Sequence, residues 1–428
     1  PPRRPPNILP ARRTPLFLVA LVAFVAYTLT GPLVVNHLLR QTDPRLALAL
    51  AVLIPFHVLL LLTAIVWLRL TYTVLLQPGH VPLGPYRTGE EPDPAPGLDA
   101  FWHRDVFVCD ARGLPLWCPH CNAWKPDRAH HSQDLGRCTT KMDHFCPWVG
   151  GVVGERSWKF FLQFNTFAFV MCAYTVGVFA YFVAESSSAA AAPQRQADSI
   201  TRIMWFISLG LGGFFGLFTG GMLVNGWWIT ARNVTTIENI DQSTRTLLLA
   251  VLLPPELQRQ PLSALPLHPR ICRGTITYPL HLPIDRPPLP AAPPRVFAVL
   301  ETLPGMNIWD LGSKRANLAA VLGRSPYDWL LPVTHSPCCA HHASHVSQYP
   351  LGPDFERLLV QAGLTTRRAP APVSGPLSAD VPGRRRRRRR RLEDAWRNDE
   401  RPDGWVSAKE ARRRRNQARR AAQSVFPP

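Results

Sequence analysis

Acidic residues and cysteines are both scarce in this chain. Asp and Glu number 29 against 48 Lys and Arg in 428 residues, an excess of 19 positive charges, much of it after residue 380. Such an imbalance suits an anionic partner, either the cytosolic membrane leaflet or a nucleic acid. Nine cysteines are too few for a disulfide scaffold in a chain of this length. Charge of either sign is absent altogether from four long stretches, 15–35, 46–68, 160–184 and 203–231. Each is long enough to cross a hydrocarbon core of about 30 Å as a helix, and uncharged runs of this length are rare in soluble proteins. That argues against two or three soluble domains.

A cleaved signal peptide is the competing reading of the first run. The run is too long for one, and the second run follows closely behind it. The fourth run is studded with Gly210, Gly212, Gly213, Gly216, Gly220 and Gly221, as expected where helices approach closely in a bilayer. The links between paired runs carry few basic residues, Arg40 and Arg45, then Arg195 and Arg202. The amino terminus, the loop between the second and third runs and the tail are rich in Lys and Arg. By the positive-inside rule the termini and that loop face the cytosol. Beyond Arg232 the text is Pro-rich and of low complexity, with one ordered-looking island at 307–329. Residues 384–391 are eight consecutive arginines, and 412–415 add four more. Like-charge blocks of this size are expected to be solvated tails drawn to anionic lipid.

The chemistry-bearing residues concentrate in 118–158, which holds four cysteines and four histidines. Cys118 and Cys121 have the spacing of a zinc knuckle, in which two thiolates grip one tetrahedral ion from a tight turn. His131 and Cys138 offer the third and fourth ligands at distances a small hairpin can close. A structural site closes at four, which leaves His120 and His130 outside it. A small polar loop buries too little surface to fold without such a metal.

Cys146 is left over. It follows Asp143-His144 and precedes Pro147-Trp148. A thiol works as a nucleophile in its thiolate form, so it needs a base or cation beside it. His144 is placed to take the proton, and Asp143 to orient the imidazole and stabilise its charged form. A local turn would bring the three together. From spacing alone, a spare metal ligand is the alternative for Cys146.

At this point the run resembles the cysteine-rich domain of the DHHC protein S-acyltransferases. Asp143-His144-Phe145-Cys146-Pro147-Trp148 stands where that family has Asp-His-His-Cys-Pro-Trp. Lys125-Pro126-Asp127-Arg128, Thr235-Thr236-Ile237-Glu238 and Gln77-Pro78-Gly79 resemble further family elements. The segment from Asn307 through Asn317 and Gly323 is similar to its carboxy-terminal element. The form most similar is a fungal branch. The family normally binds two zinc ions. One ligand set falls on Cys118, Cys121, His131 and Cys138, all present; the other falls on Ser132, Leu135, Phe145 and Val152, none of them a ligand. The resemblance therefore implies one structural Zn2+ and a metal position, not a base, lost at Phe145. Phe145, Leu135 and Val152 are expected to supply an apolar replacement.

The expected fold is an all-α integral membrane protein of four transmembrane helices. A small zinc-stabilised, hairpin-rich cytosolic domain lies between the second and third spans, and a disordered basic tail ends the chain. The expected boundaries are a cytosolic N-terminus at 1–14, two spans within 15–76, the cysteine-rich catalytic domain at 77–158, two spans within 159–231, a cytosolic C-terminal region at 232–330 and the polybasic tail at 331–428.

The activity the resemblance implies is transfer of a long-chain acyl group from acyl-CoA, palmitoyl-CoA in particular, through an acyl-enzyme on Cys146, to proteins with membrane-proximal cysteines. Trp148, Phe164, Phe167, Met171 and Tyr174 are candidates to line the acyl cavity, with ordinary packing as the alternative for each. Lys125, Arg128, Lys141 and Arg156 are candidates for the CoA phosphates, with a solvated charge or a lipid headgroup contact as the alternatives. Asn233, Thr235 and Thr236 are expected to pack beneath the zinc loop. Cys338 and Cys339 are candidate S-acylation sites, with an unmodified pair in a disordered tail as the alternative. A catalytically silent zinc-containing adaptor is the alternative function; the intact Asp143, His144 and Cys146 argue against it. No nucleic-acid partner is expected, because four spans accompany the arginine runs. The residence expected is an endomembrane or the plasma membrane.

Overall fold

The four apolar runs form four long helices in the computed structural model, which describes residues 9–84, 97–188, 196–260, 267–280, 293–341 and 344–364. Helix α1 (Leu9–Thr28) passes into a π-helical stretch, Leu29–Leu39. Helices α2 (Leu46–Leu76), α3 (Trp158–Ser187) and α4 (Ser199–Ala231) complete the set. All four are long and apolar enough to cross a membrane. Their outward faces stay apolar, with Leu217 83% exposed and Val224 73%, as expected of surfaces solvated by lipid.

The first helix runs further than its uncharged run. Residues 36–39, read as a polar link, are helical, and His37 is buried with the Trp205 ring 5.0 Å away. Pro32 lies inside this stretch and has no N–H to donate, which favours a widened turn over regular i→i−4 bonding. Within the spans, Thr63, Thr175 and Thr219 donate to carbonyls one turn back at 2.7–2.8 Å, which satisfies hydroxyls where no water is available. Arg45 and Glu185 close one end of the bundle through two hydrogen bonds of 2.7 and 3.1 Å.

Close approach of α3 and α4 rests on Gly226, Gly220 and Gly212; a Cβ at Gly220 would sit 2.9 Å from Phe169 Cε2. A Cβ at Gly226 would sit 2.6 Å from Leu162 Cδ2, and one at Gly212 would sit 3.1 Å from Val176 Cγ2. Gly210, Gly213 and Gly221 face open space, so only part of the glycine pattern serves packing.

At 31 residues and about 1.5 Å each, α2 reaches about 46 Å and overshoots the hydrocarbon core. Its end, with Leu70 and Val74, packs against Cys146, Val149 and Val153 of the loop that follows. That loop holds β1 (Val106–Cys109) and three hairpins: β2 (Trp117–Cys118) with β3 (Ala123–Trp124), β4 (His130–Ser132) with β5 (Arg137–Thr139), and β6 (His144–Cys146) with β7 (Gly151–Val153).

Beyond α4, a short helix α5 (Thr236–Asp241) precedes three strands that the Pro-rich text hides: β8 (Leu248–Leu252), β9 (Cys272–Tyr278) and β10 (Arg295–Glu301). They join β1 in an antiparallel sheet ordered β1-β8-β10-β9, with Val106 opposite Val251 and Val299 opposite Ala250. Side chains alternate between two buried faces. Val106, Val108, Leu249, Val251, Ala298 and Leu300 pack on Trp309 and Tyr349. Phe107, Ala250, Phe297 and Val299 pack on Trp102, Trp124 and Tyr278.

The island at 307–329 contains helix α6 (Lys314–Leu322). The boundary set for the tail at 331 is too early. Residues 331–341 continue the packed structure, and helix α7 (Pro353–Ala362) lays Phe355, Leu358 and Ala362 on the sheet. The apolar i, i+3, i+7 spacing of those three residues is what carries it. Both arginine blocks and the first eight residues lie outside the described residues.

Candidate active site and metal centre

Two hairpins build the metal centre. In β4–β5, His131 pairs directly with Cys138; at the β2–β3 turn, Asn122 takes a left-handed φ of 47° and brings Cys118 and Cys121 together. The four donor atoms lie within 4.8 Å of one another. His131 Nδ1 is 3.6, 3.4 and 3.8 Å from the sulfurs of Cys118, Cys121 and Cys138. A tetrahedral ion with ordinary Zn–S and Zn–N bonds places such donors about 3.6 Å apart, so the donor set fits Zn2+. Four protein ligands leave no open position, so the ion would serve folding and not bond-making. His120 and His130 stand outside the set.

Strand geometry builds the thiol site. His144 and Cys146 are two apart on β6 and project from the same side, while Phe145 lies between them on the other and is paired with Val152 of β7. The three residues are therefore aligned by an extended strand and not by the turn expected. His144 Nδ1 is 2.8 Å from Asp143 Oδ2, and the imidazole lies beside the Cys146 sulfur. Asp143 is 3% exposed. Thr236 holds it twice, donating its backbone N–H to Oδ1 and its hydroxyl to Oδ2, each at 2.8 Å. Burial alone would lower the His144 pKa. Asp143, through its hydrogen bond and charge, and the neighbouring Cys146 outweigh that and raise it to about 9. The imidazole therefore keeps its proton at neutral pH, beside a buried sulfur. Such an arrangement suits a nucleophile, an acid–base partner and an orienting carboxylate.

Cys146 faces a cavity of about 520 Å³ enclosed by all four spans and almost wholly apolar. Trp148, Phe164 and Met171 line it as expected. Phe167 and Tyr174 do not; the Tyr174 hydroxyl instead donates to the carbonyls of Ala51 and Val52 at 3.0 Å.

The comparisons with known proteins agree with this geometry. The family model described as DHHC palmitoyltransferase matches residues 113–243. Palmitoyltransferase pfa5 of Aspergillus fumigatus is 34% identical over 424 residues, spanning 84% of this chain and 91% of that protein. The chain belongs to the DHHC palmitoyltransferase family. Palmitoyltransferase pfa5 of Emericella nidulans is 31% identical, spanning 86% and 89% of the two chains. Palmitoyltransferase ZDHHC15 of Xenopus laevis is 30% identical over 52% of this chain and 64% of that one. The protein is a DHHC-type protein S-palmitoyltransferase, similar to the fungal branch.

In this palmitoyltransferase Arg128 does not reach outward to a phosphate. Its side chain is fully buried and donates to both carboxylate oxygens of Glu238, at 2.8 and 2.6 Å, and to the side chain and backbone oxygen of Asn233. Trp309 stacks on the guanidinium at 4.7 Å. Burial would raise the Glu238 pKa, but Arg128 and the Thr235 N–H hold it down to about 2. Its stabilising charge is therefore complete above its ordinary 4.5 and is lost only as pH falls through about 2. Neighbouring Asp127 accepts the Val108 N–H at 2.9 Å, tying the sheet to the zinc hairpins. Lys141 is likewise turned inward, 3.4 Å from Asn233 Oδ1. Lys125 is half-buried and Arg156 exposed.

Thr235 caps α5 in a reciprocal capping box with Glu238. Asn307 and Asn317 donate to the carbonyls of Arg232 and Ala231 at 2.7 and 2.9 Å, satisfying orphan groups at the end of α4. Phe161, whose ring packs edge-on to His144 at 5.1 Å, was missed by the motif-based reading because it lies inside an apolar run. Of the lost metal set, Ser132 accepts the Leu135 N–H at 3.3 Å and Phe145 pairs with Val152. Cys338 and Cys339 sit in a packed turn against Glu155 and Ser336, which removes the disordered-tail alternative.

Replacement of Cys138 by Ser is expected to remove one equivalent of zinc per chain and to melt the hairpin domain, measured by elemental analysis and limited proteolysis. Arg128→Gln strands a buried carboxylate and is expected to cost about 3–5 kcal/mol. A thermal melt checks this, and the remaining folded enzyme should keep its KM for acyl-CoA, since Arg128 does not face solvent.

Proposed function

We propose that Cys146 carries the acyl group between a long-chain acyl-CoA and cysteines of membrane-associated proteins. The observation that supports this reading is the Cys146 thiol at the mouth of a deep apolar cavity, with His144 and Asp143 aligned behind it. In the first half-reaction the Cys146 thiolate attacks the thioester carbonyl. The bond to CoA sulfur breaks, and the His144 imidazolium gives its proton to the departing CoA thiolate. In the second, neutral His144 takes the proton of the incoming cysteine. That thiolate attacks the acyl-enzyme, and Cys146 leaves as thiolate beside the imidazolium. Asp143 keeps the imidazole oriented and favours its charged form throughout. The donor set at Cys118, Cys121, His131 and Cys138 would hold one Zn2+, which supports the hairpins.

Cavity depth favours a donor of about sixteen carbons. The lining on α3 runs from Phe161 to Thr175, about 21 Å at 1.5 Å per residue. An extended chain advances about 1.2 Å per bond, so sixteen carbons span about 19 Å. Lys125 and Arg156 remain the candidates for the CoA phosphates. The excess of Lys and Arg supports a cytosolic loop, where that headgroup resides. The arginine blocks of the tail would add attraction to anionic lipid.

Purified protein incubated with labelled palmitoyl-CoA is expected to take up hydroxylamine-sensitive label, absent in Cys146→Ser. Label persisting in that variant would sink the assignment. Autoacylation should hold steady through neutral pH and decline above about pH 9 as His144 loses its proton. Asp143→Asn should slow it by about 10²-fold or more and shift that decline downward, because the strongest raising influence is gone. Ala168 lines the cavity about 10 Å below Phe161. Ala168→Phe is expected to move the preference to donors of about eight to ten carbons, measured as competition between labelled acyl-CoAs of different length.

A further inference from the structure

Away from the thiol site, a second group of metal-ligating side chains meets where the carboxy-terminal segment crosses the entry to α3. Glu155 follows β7 and its side chain is 2% exposed. His341 Nε2 lies 2.9 Å from its Oε1 and is hydrogen-bonded to its Oε2 at 3.1 Å, which leaves Oε1 without a hydrogen bond of its own. Cys338 and Cys339 lie on the turn Pro337–Cys339, and their sulfurs and a Glu155 oxygen all fall within 4.8 Å of one another, a group that His341 borders through Glu155 but does not join. On the far side of its ring, His341 Nδ1 faces the Gln348 carbonyl at 3.4 Å.

We propose that Glu155, Cys338 and Cys339, joined by His341 through a small shift of its ring, form a second divalent-metal site whose ligand chemistry selects Zn2+. Two sulfurs, an imidazole nitrogen and a carboxylate oxygen are a soft-to-borderline set of the number and kind that zinc takes. The ring of His341 has one nitrogen on a backbone carbonyl, as metal-bound imidazoles often do, and the other on the Glu155 carboxylate. With Nδ1 donating to Gln348, Nε2 is free to act as a ligand, and a cation bound by it and by Glu155 would replace their present direct contact.

Charge argues the same way. A metal that deprotonated both thiols would gather a carboxylate and two thiolates, three negative charges, in a buried place, where they need pairing. A divalent ion together with the ammonium of Lys141 balances them; Lys141, Glu155 and Cys338 line one small cavity. Bound there, the ion clamps the turn at 337–339 to the segment that carries β7 into α3. Asp143 lines the same cavity, so the clamp bears on the rear of the carboxylate that orients His144. None of these ligands belongs to the emptied set at Ser132, Leu135, Phe145 and Val152. The chain would thus hold two ions, one where its family relatives hold one and one elsewhere.

The test is metal stoichiometry of the full-length protein in detergent, equilibrated with micromolar Zn2+ and then freed of loose metal. Two zinc ions per chain are expected for wild type and one for the double variant Cys338→Ser, Cys339→Ser. The ion at Cys118, Cys121, His131 and Cys138 reports that the variant has folded. If the double variant does not fold, His341→Gln removes a single ligand at the exposed edge and should weaken binding of the second ion by about 10–100-fold. Substitution with Co2+ gives an independent reading: thiolate-to-metal absorption should fall in the double variant in proportion to two of five ligating sulfurs. One zinc per wild-type chain would mean an ordinary ion pair between Glu155 and a charged His341 and overturns the proposal. So does an unchanged count of two in the double variant. Because the readout is metal content, the result stands apart from whether Cys146 carries the acyl group.

Discussion

The buried Arg128–Glu238 pair joins residues 110 apart in sequence, and the candidate active site hangs from it. Arg128 leaves the zinc hairpins with a left-handed φ of 62°, and Glu238 is the third residue of α5. Two charges taken out of water cost several kcal/mol each, and only good geometry with every donor occupied recovers that. Here both carboxylate oxygens, Asn233 and the faces of Trp309 and Tyr349 surround the guanidinium. With α5 so fixed, Thr236 at its first turn holds both oxygens of Asp143, and Asp143 in turn holds His144. The order of dependence runs from a structural ion pair to a threonine, to a carboxylate, to the imidazole beside Cys146.

The altered signature Asp-His-Phe-Cys is consistent with that chain of contacts. On a strand, alternate residues share a side. Exchange of histidine for phenylalanine at 145 therefore alters the side of β6 away from His144 and Cys146. Phe145 and Val152 stand directly opposite each other in the β6–β7 register. Packing around this hairpin is dense, with Leu70 and Val74 of α2 and Phe161 of α3 closing around Cys146, Val149 and Val153.

Placement at the bilayer boundary follows from helix lengths. Helix α2 is long enough to extend beyond the hydrocarbon and end under the β6–β7 hairpin, and α3 begins five residues after it. The thiol is thus held where an apolar cavity meets a basic surface, which is where a reagent with a lipid tail and a charged headgroup can be bound at both ends.

Much of this was legible in the sequence because the signals are local. Uncharged runs specify spans whatever surrounds them, since the bilayer excludes charge. Cys118 and Cys121 specify a knuckle because three residues are the reach of a tight turn. The strands β8 and β10 were not legible: each is a short run beside prolines, and a strand gains its stability from partners, here Val106–Cys109 and one another, that lie far away in the chain. The roles of Arg128 and Lys141 were misread for a related reason. A basic residue in a basic loop is exposed by default, and only the arrival of Glu238, Asn233 and Tyr349 from beyond the fourth span turns these two inward. Composition and spacing determined four spans, one set of zinc donors and a cysteine beside a histidine. Tertiary structure alone decided which charges are buried and what holds Asp143, because burial and hydrogen-bond geometry depend on segments that sequence keeps a hundred residues apart.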